Sequence, residues 1–220
     1  MERMKRNRCA WAFLALMSLV LTACAGAVKP LGPAEVRQYE GQNLSSITDF
    51  RENSIKGPQK VSLEDYRLVI DGQVNSPQTL TYSQVLQHGH YSKVVTLHCV
   101  EGWDATILWE GVLIEDLLAP AGVRDEVAVV IFHGADGYTS SLTLEYVRAN
   151  HLLLAYKMNG LSLPAERGFP FQVVAESKWG YKWVKWVTRI ELSADASYEG
   201  YWESRGYSNE GDQAGPMFAP

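Results

Sequence analysis

The chain has 220 residues, 46% of them hydrophobic, with seven Trp, eleven Tyr and a formal net charge of −5. That apolar and aromatic content excludes an intrinsically disordered chain, and the length suits one domain with a real core. The acidic balance argues against a nucleic-acid partner, because phosphate backbones need a basic surface.

The N terminus reads as an export signal. Arg3, Lys5, Arg6 and Arg8 precede a nearly unbroken apolar run of 13 residues, 9–21. Such a run is too short for a membrane-spanning helix and suits a signal-peptide core. It closes on Leu21-Thr22-Ala23-Cys24, which is similar to a bacterial lipobox, with Cys24 as the lipidated residue. An ordinary signal peptide cut at a small residue is the alternative. Losing residues 1–23 removes four basic residues and one acidic residue, leaving 16 against 24 and a net charge near −8. Acyl chains on Cys24 would hold the domain on a bacterial membrane, facing the periplasm or exterior, without a spanning helix. Residues 24–49, with Pro30, Gly32, Pro33 and Gly41, read as a tether and N-terminal arm. A catalytic domain over 50–210 and a C-terminal tail over 211–220 complete the expected layout.

Apolar and β-branched runs predict strands over 66–71, 94–98, 127–132, 171–175 and 184–192, and periodicity predicts helices over 82–87, 113–119 and 144–150. Pro120 and Gly122 close the second helix. Strands and helices do not alternate strictly, which disfavours a doubly wound sheet.

Cys9 leaves with the signal and Cys24 carries lipid, so Cys99 has no intramolecular partner. A lone thiol in an oxidising envelope invites mispairing. It could be an inert core residue, a nucleophile or a metal ligand. His98 is adjacent, but neighbouring strand residues point to opposite faces. His98 is therefore a poor base for Cys99 unless the strand ends between them. His88, His90, His133 and His151 are other candidate bases. No CxxC or HExxH supplies a zinc site. Glu101-Gly102 predicts a turn that holds the thiol at a strand end, where scaffolds present reactive groups.

A second region reverses the charge of the chain. Between Arg167 and Arg189 lie Lys178, Lys182 and Lys185, with Glu176 the one acid. Lys178-Trp179-Gly180-Tyr181-Lys182 reads as a turn. Lys182, Trp183, Val184 and Lys185 then bring backbone NH and ammonium groups together, a fit for a phosphate. A hairpin with its lysines in solvent and its tryptophans in the core is the alternative.

Five segments stand in a familiar order: "RENSIKGP", "TLHCVEGW", "HGADGY", "GFPFQVVAESKWGYKWVKWVTRIEL" and "YWESRGYSNEGD". Together, over roughly residues 50–210, they resemble the molybdopterin-binding catalytic domain of sulfite oxidases, assimilatory nitrate reductases and bacterial periplasmic methionine-sulfoxide reductases. The resemblance implies an α+β fold, with a mixed β-rich core and short peripheral helices. It implies a molybdenum-molybdopterin cofactor with Cys99 as the protein's ligand to the metal, a role suited to a soft thiolate. A thiolate held that way escapes stray disulfides. The resemblance places cofactor contacts at Arg51, Asn53, Ser54, Ile55, His133, Gly134, Arg167, Trp183, Val184 and Lys185. Gln172 departs from members with Arg there, and Arg167, Lys182 and Lys185 would compensate for phosphate binding. His98 departs from members with Arg or Gln. It would bind an oxyanion or move a proton as a catalytic group, or serve as a hydrogen-bonded support.

The implied reaction is two-electron oxygen-atom transfer on a small oxo substrate such as sulfite or a sulfoxide. Arg51, Arg167 and Arg205 are the candidates for gathering a dianion. The sequence has no CxxCH and no flavin or nicotinamide fingerprint, so electrons would pass to an envelope cytochrome or a membrane haem protein. Lys5-Arg6 stands where a signal for folded export has Arg-Arg. That leaves open a cofactor-free envelope lipoprotein that binds a ligand or partner through the same fold, and a thiol enzyme that uses Cys99 directly.

Overall fold

The computed structural model describes residues 33–219. The expected signal peptide, Cys24 and the first part of the tether lie outside the described residues.

The described chain starts as an arm. Its only regular piece is the two-residue pairing of β1 (Gln38–Tyr39) with β2 (Gln42–Asn43), turned at Glu40 and Gly41, both at positive φ. The arm is pinned by a buried amide. Asn159 Nδ2 donates to Glu35 Oε1 at 2.9 Å and to Ser45 O at 2.8 Å, and its Oδ1 accepts from Leu108 N at 3.0 Å. One side chain thus ties the arm to a central strand and satisfies its own buried polar atoms.

The rest runs β3 (Leu68–Gly72), β4 (Gln78–Leu80), α1 (Tyr82–Val85), β5 (Tyr91–His98), β6 (Asp104–Leu113), α2 (Ile114–Leu118), β7 (Val129–Gly134), β8 (Thr139–Thr143), α3 (Leu144–Ala149), β9 (Leu153–Met158), β10 (Leu161–Ser162), β11 (Gln172–Val174) and β12 (Val187–Ser193). Two five-stranded sheets result. One has the order β10-β9-β6-β5, with β11 also on β9. The other has the order β4-β3-β12-β7-β8. β3 and β12 pair in parallel, and the other neighbours are antiparallel. One hydrophobic cluster takes side chains from both sheets, including Ile107, Trp109 and Leu154 from one and Leu68, Phe132 and Ile190 from the other. The architecture is α+β and β-rich, with three short helices outside the sheets.

Local chemistry explains the joints. α1 opens on a capping box, with Thr81 and Gln84 satisfying each other's backbone NH groups. Thr143 caps α3 in the simpler way. β6 passes β9 so closely at the bulge after Glu110 that a Cβ on Gly111 would lie 2.5 Å from Leu154 O.

Every predicted helix and strand has a counterpart, with shifted ends. Strand 184–192 begins only at Val187, because Trp186 has φ 52° and breaks the extended backbone. No strand was expected at β4, β8, β9 or β10, and β6 is longer than the strand-like start of "LWEGVLIEDLLAPAG" suggests. β9, "LLAYKM", is buried along almost its whole length, and a short apolar run of this kind reads equally as helix. The hairpin alternative for 178–185 is overturned. Gly180–Lys182 is a 3₁₀ turn, and Lys178 and Lys182 are buried.

Candidate functional site

β5 ends at His98, and residues 99–103 turn the chain into β6. Cys99 N donates to Trp103 O at 2.9 Å and Gly102 N to Cys99 O at 3.0 Å. Gly102 sits at φ 83°, where a side chain would be strained. The strand therefore ends just before the thiol, as the Glu101-Gly102 turn predicts. Cys99 and His98 part company there. Cys99 is 7% exposed and faces a cavity of about 450 Å³. His98 turns away to Asp104, with Nδ1 2.6 Å from Oδ1.

The rest of the cavity comes from segments far apart in sequence. The chain at 50–55 crosses the thiol, and Asn53 Nδ2 lies 3.5 Å from Cys99 Sγ. Arg167 holds this segment in place. Its ring-stacked guanidinium lies 3.9 Å from the Phe50 ring centroid. It donates to Ile47 O at 3.2 Å, to Arg51 O at 2.8 Å and to Phe50 O. Opposite stands the stretch from Gly180 to Trp186, where Lys185 Nζ lies 2.6 Å from Glu52 Oε1. Tyr138, after β7, closes the side and donates its OH to Tyr181 O at 2.5 Å.

Burial pushes the Cys99 thiol pKa up, and the Glu101 carboxylate adds to that. The backbone NH of Glu101, the Asn53 amide and the Arg51 charge oppose it without prevailing. A thiol held protonated is a poor nucleophile, which counts against direct thiol catalysis. Burial lowers the Lys185 pKa, and the bond to Glu52 offsets part of that. Two buried polar atoms on the cavity wall, Ser54 Oγ and Trp103 Nε1, have no hydrogen-bond partner. Buried donors are nearly always paired, and these two atoms of wall residues find no partner within the protein. Among the described residues no group of three or more His, Cys, Asp or Glu could hold a metal ion.

Of the residues singled out from sequence, Arg51, Asn53, Ser54, Ile55, Cys99, Arg167, Gln172, Trp183 and Lys185 line this cavity together. Five others are not among the residues that line it. His98 is held by Asp104. His133, on β7, pairs with Glu191 at 2.9 Å on the sheet. Lys182 is fully buried against Glu203 at 2.7 Å. Val184 is fully buried in the hydrophobic core. Gly134 packs tightly, since a Cβ there would come within 2.7 Å of Lys185 O. Arg205 is also off the cavity, with its guanidinium 3.7 Å from the centroid of the Tyr201 ring. Sequence reasoning missed Glu52, Trp103, Asp136, Tyr138, Tyr181, Trp202 and Tyr207 on the wall. Asp136 and Tyr138 lie within the quoted "HGADGY". Glu52 lies in "RENSIKGP", Trp103 in "TLHCVEGW", and Trp202 and Tyr207 in "YWESRGYSNEGD", so the segments were flagged but not these side chains.

Residues 55–202 match the family model described as "Oxidoreductase molybdopterin binding domain". The chain belongs to that family. Membership carries the enzyme class, a molybdenum-dependent oxidoreductase, and the cofactor, molybdenum-molybdopterin. The oxidoreductase YuiH of Bacillus subtilis is 33% identical over 70% of this chain and 78% of its own length. YedZ1 of Azospira oryzae, named for a protein-methionine-sulfoxide reductase subunit, is 30% identical over 68% of this chain and 57% of its own. The mitochondrial sulfite oxidase of Mus musculus is 37% identical over 47% of this chain and 20% of its own. The crystal structure of the sulfane dehydrogenase SoxCD from Paracoccus pantotrophus superposes with a TM-score of 0.62 at 28% identity, covering 64% of this chain and 41% of that one. The chain thus spans most of YuiH but 57% or less of the other three.

The cavity fits the molybdopterin of this family. Its volume falls within the range of small-molecule and cofactor sites. Its wall presents one soft sulfur ligand, two unpartnered polar atoms, and the cations Arg51, Arg167 and Lys185. Cys99 would take the metal, and Ser54, Trp103 and Lys185 the polar groups of the pterin and its phosphate.

Proposed function

We propose that the chain is the catalytic subunit of a cell-envelope molybdenum oxidoreductase with Cys99 as the protein's metal ligand. When bound, the cofactor supplies two-electron oxygen-atom chemistry. A sulfoxide takes up two electrons and two protons to give a thioether and water, and sulfite with water gives sulfate, two electrons and two protons. The protein fixes and screens the reacting centre. The turn at 99–103 aims the sulfur, and Asn53 orients it. Arg167 holds the arm segment over the cavity, and Trp103 and Trp183 exclude water. Lys185, released from Glu52, would meet the phosphate through a charge-assisted bond.

The envelope location rests on the basic, apolar and lipobox order at 1–24, with 1–23 as the signal, lipid on Cys24, a tether over 24–49, the catalytic domain over 50–210 and a tail over 211–220. A haem protein of the same envelope would exchange the electrons.

One observation carries the reading: a lone cysteine at a strand end, facing a cavity with unpartnered polar atoms. Metal and pterin analysis of protein purified from its own envelope tests it. About one molybdenum per chain, lost on Cys99→Ser with the near-UV circular dichroism retained, is the expected result. Metal-free protein with Cys99 fully open to a thiol reagent would instead support a cofactor-free binding lipoprotein.

A further inference from the structure

One wall of the cavity lies at and beyond the end of the family match, at residue 202. Trp202 and Tyr207 both line the cavity. Their rings continue one another outward. The Tyr181 and Tyr207 centroids are 5.1 Å apart, those of Trp202 and Tyr207 5.4 Å, and those of Tyr207 and Phe218 5.0 Å. Trp202 is 37% exposed and Phe218 57%, so this aromatic run leads from the interior to solvent.

The wall is fixed in place. Lys182 Nζ meets Glu203 at 2.7 Å with both side chains fully buried, and Tyr181 OH donates to Ser208 O at 2.7 Å. Trp179 N donates to Gly211 O at 2.8 Å, and Lys178 Nζ meets Asp212 at 2.6 Å. Four bonds from 178–182 therefore hold the C-terminal segment against the site.

The charges on the wall cancel. Arg51, Arg167 and Lys185 face Glu52, Glu101 and Asp136. Lys185 is engaged by Glu52, Arg167 by three backbone carbonyls, and Arg51 lies 4.0 Å from Glu101. A small dianion gains little from a wall whose charges balance, yet it loses its hydration on entering. An apolar substituent gains from the aromatic faces.

We propose that the segment 202–218 is the specificity wall of the site, with Trp202 and Tyr207 holding the apolar, non-reacting substituent of an uncharged sulfoxide or thioether. This rests on the oxidoreductase reading above.

The test compares wild-type holoenzyme with Trp202→Ala, Tyr207→Ala and the volume-keeping Tyr207→Leu. Three quantities are read: molybdenum and pterin content; steady-state constants for methyl phenyl sulfoxide, dimethyl sulfoxide and sulfite with dye electron carriers; and calorimetric binding of methyl phenyl sulfone, which carries the same ring. Wild type is expected to favour the aryl sulfoxide over sulfite in kcat/KM. Each alanine variant is expected to raise KM for the aryl sulfoxide about tenfold, the scale of one aromatic contact with its buried area. The loss is larger for the aryl sulfoxide than for dimethyl sulfoxide, which lacks the ring, and sulfone affinity falls in parallel. Sulfite as the preferred substrate, or an equal loss on all three substrates at full molybdenum content, overturns the wall. Molybdenum-free wild-type protein would sink the oxidoreductase reading alone. The sulfone titration on that same protein still decides the wall, which stands if the ring variants weaken binding and falls if they do not.

Discussion

Lys182→Met removes the cation from a pair that solvent does not reach. Lys182 Nζ lies 2.7 Å from Glu203 Oε1, and both side chains are 0% exposed. The same oxygen accepts from Ser140 Oγ at 2.5 Å, while Oε2 has no partner. Burial pushes the Lys182 pKa down and the Glu203 carboxylate pulls it back, so desolvation already opposes the attraction between them. Taking the cation away leaves a buried carboxylate with one hydroxyl for company, at a cost of about 3–5 kcal/mol. For a domain of this size that lowers Tm by about 6–20 °C. Lys182→Met with Glu203→Gln removes both charges, keeps an acceptor for Ser140 and recovers most of the loss. Circular-dichroism melts of the single and double variants, with molybdenum counted on each, read the outcome. A Lys182→Met protein that melts like wild type but has lost its molybdenum would refute the reasoning and return Lys182 to the cofactor.

Three further outcomes follow from the same geometry. Lys185→Gln removes one charge-assisted bond worth about 1.5–3 kcal/mol, so pterin and molybdenum retention should weaken about 10- to 150-fold on dialysis while the fold survives; unchanged retention would remove Lys185 from the phosphate site. Arg167→Lys replaces a planar fork on three carbonyls by a single ammonium, and should cost about 1–3 kcal/mol with faster amide exchange over 47–51; wild-type exchange there would contradict the clamp. Burial lifts the phenols of Tyr66, Tyr138, Tyr146 and Tyr181 above their ordinary value. The unfolded chain sheds those protons near pH 10 and the folded one keeps them, so their stability is whole below about pH 10 and is lost as pH rises past it. Lys182 and Lys185, pushed down by burial, act with the opposite sign, and stability rises with pH toward their unfolded value of about 10.4. The tyrosines therefore set the alkaline limb. Phenolate absorbance should rise together with loss of the circular-dichroism signal, and phenols that ionise in a chain still folded would contradict this.

What the sequence made legible was local. The β5 strand, its end before Cys99 and the Gly102 turn all depend on neighbours, and all are where the pattern puts them. Among the described residues Cys99 is the one cysteine, and its isolation from Cys24 rests on the expected lipidation. β9 escaped because its burial comes from β6 on one side and β10 and β11 on the other, and a run buried on every face has no period to read. The clamp role of Arg167 escaped for a related reason. Its partners are backbone carbonyls more than a hundred residues upstream, which no composition signals.

The basic stretch shows why charge read along a chain misleads about charge in a site. Lys178, Lys182 and Lys185 look in sequence like one cluster ready for an anion. In the fold each meets a different acid: Asp212, Glu203 and Glu52. Two of those acids come from the C-terminal segment and one from the arm, and a buried cation that lacked them would be costly enough to unfold the region. The lysines therefore do two jobs. Lys178 and Lys182 spend their charge fastening the C-terminal wall, while Lys185, at the cavity, holds a partner that a phosphate can replace. Anion binding at this site is then an exchange of Glu52 for phosphate on Lys185, and its strength is set by how well the arm solvates Glu52 once released. Glu52→Gln should consequently tighten cofactor retention in an otherwise wild-type chain. A looser cofactor in that variant would mean Glu52 orients Lys185 and does not compete for it.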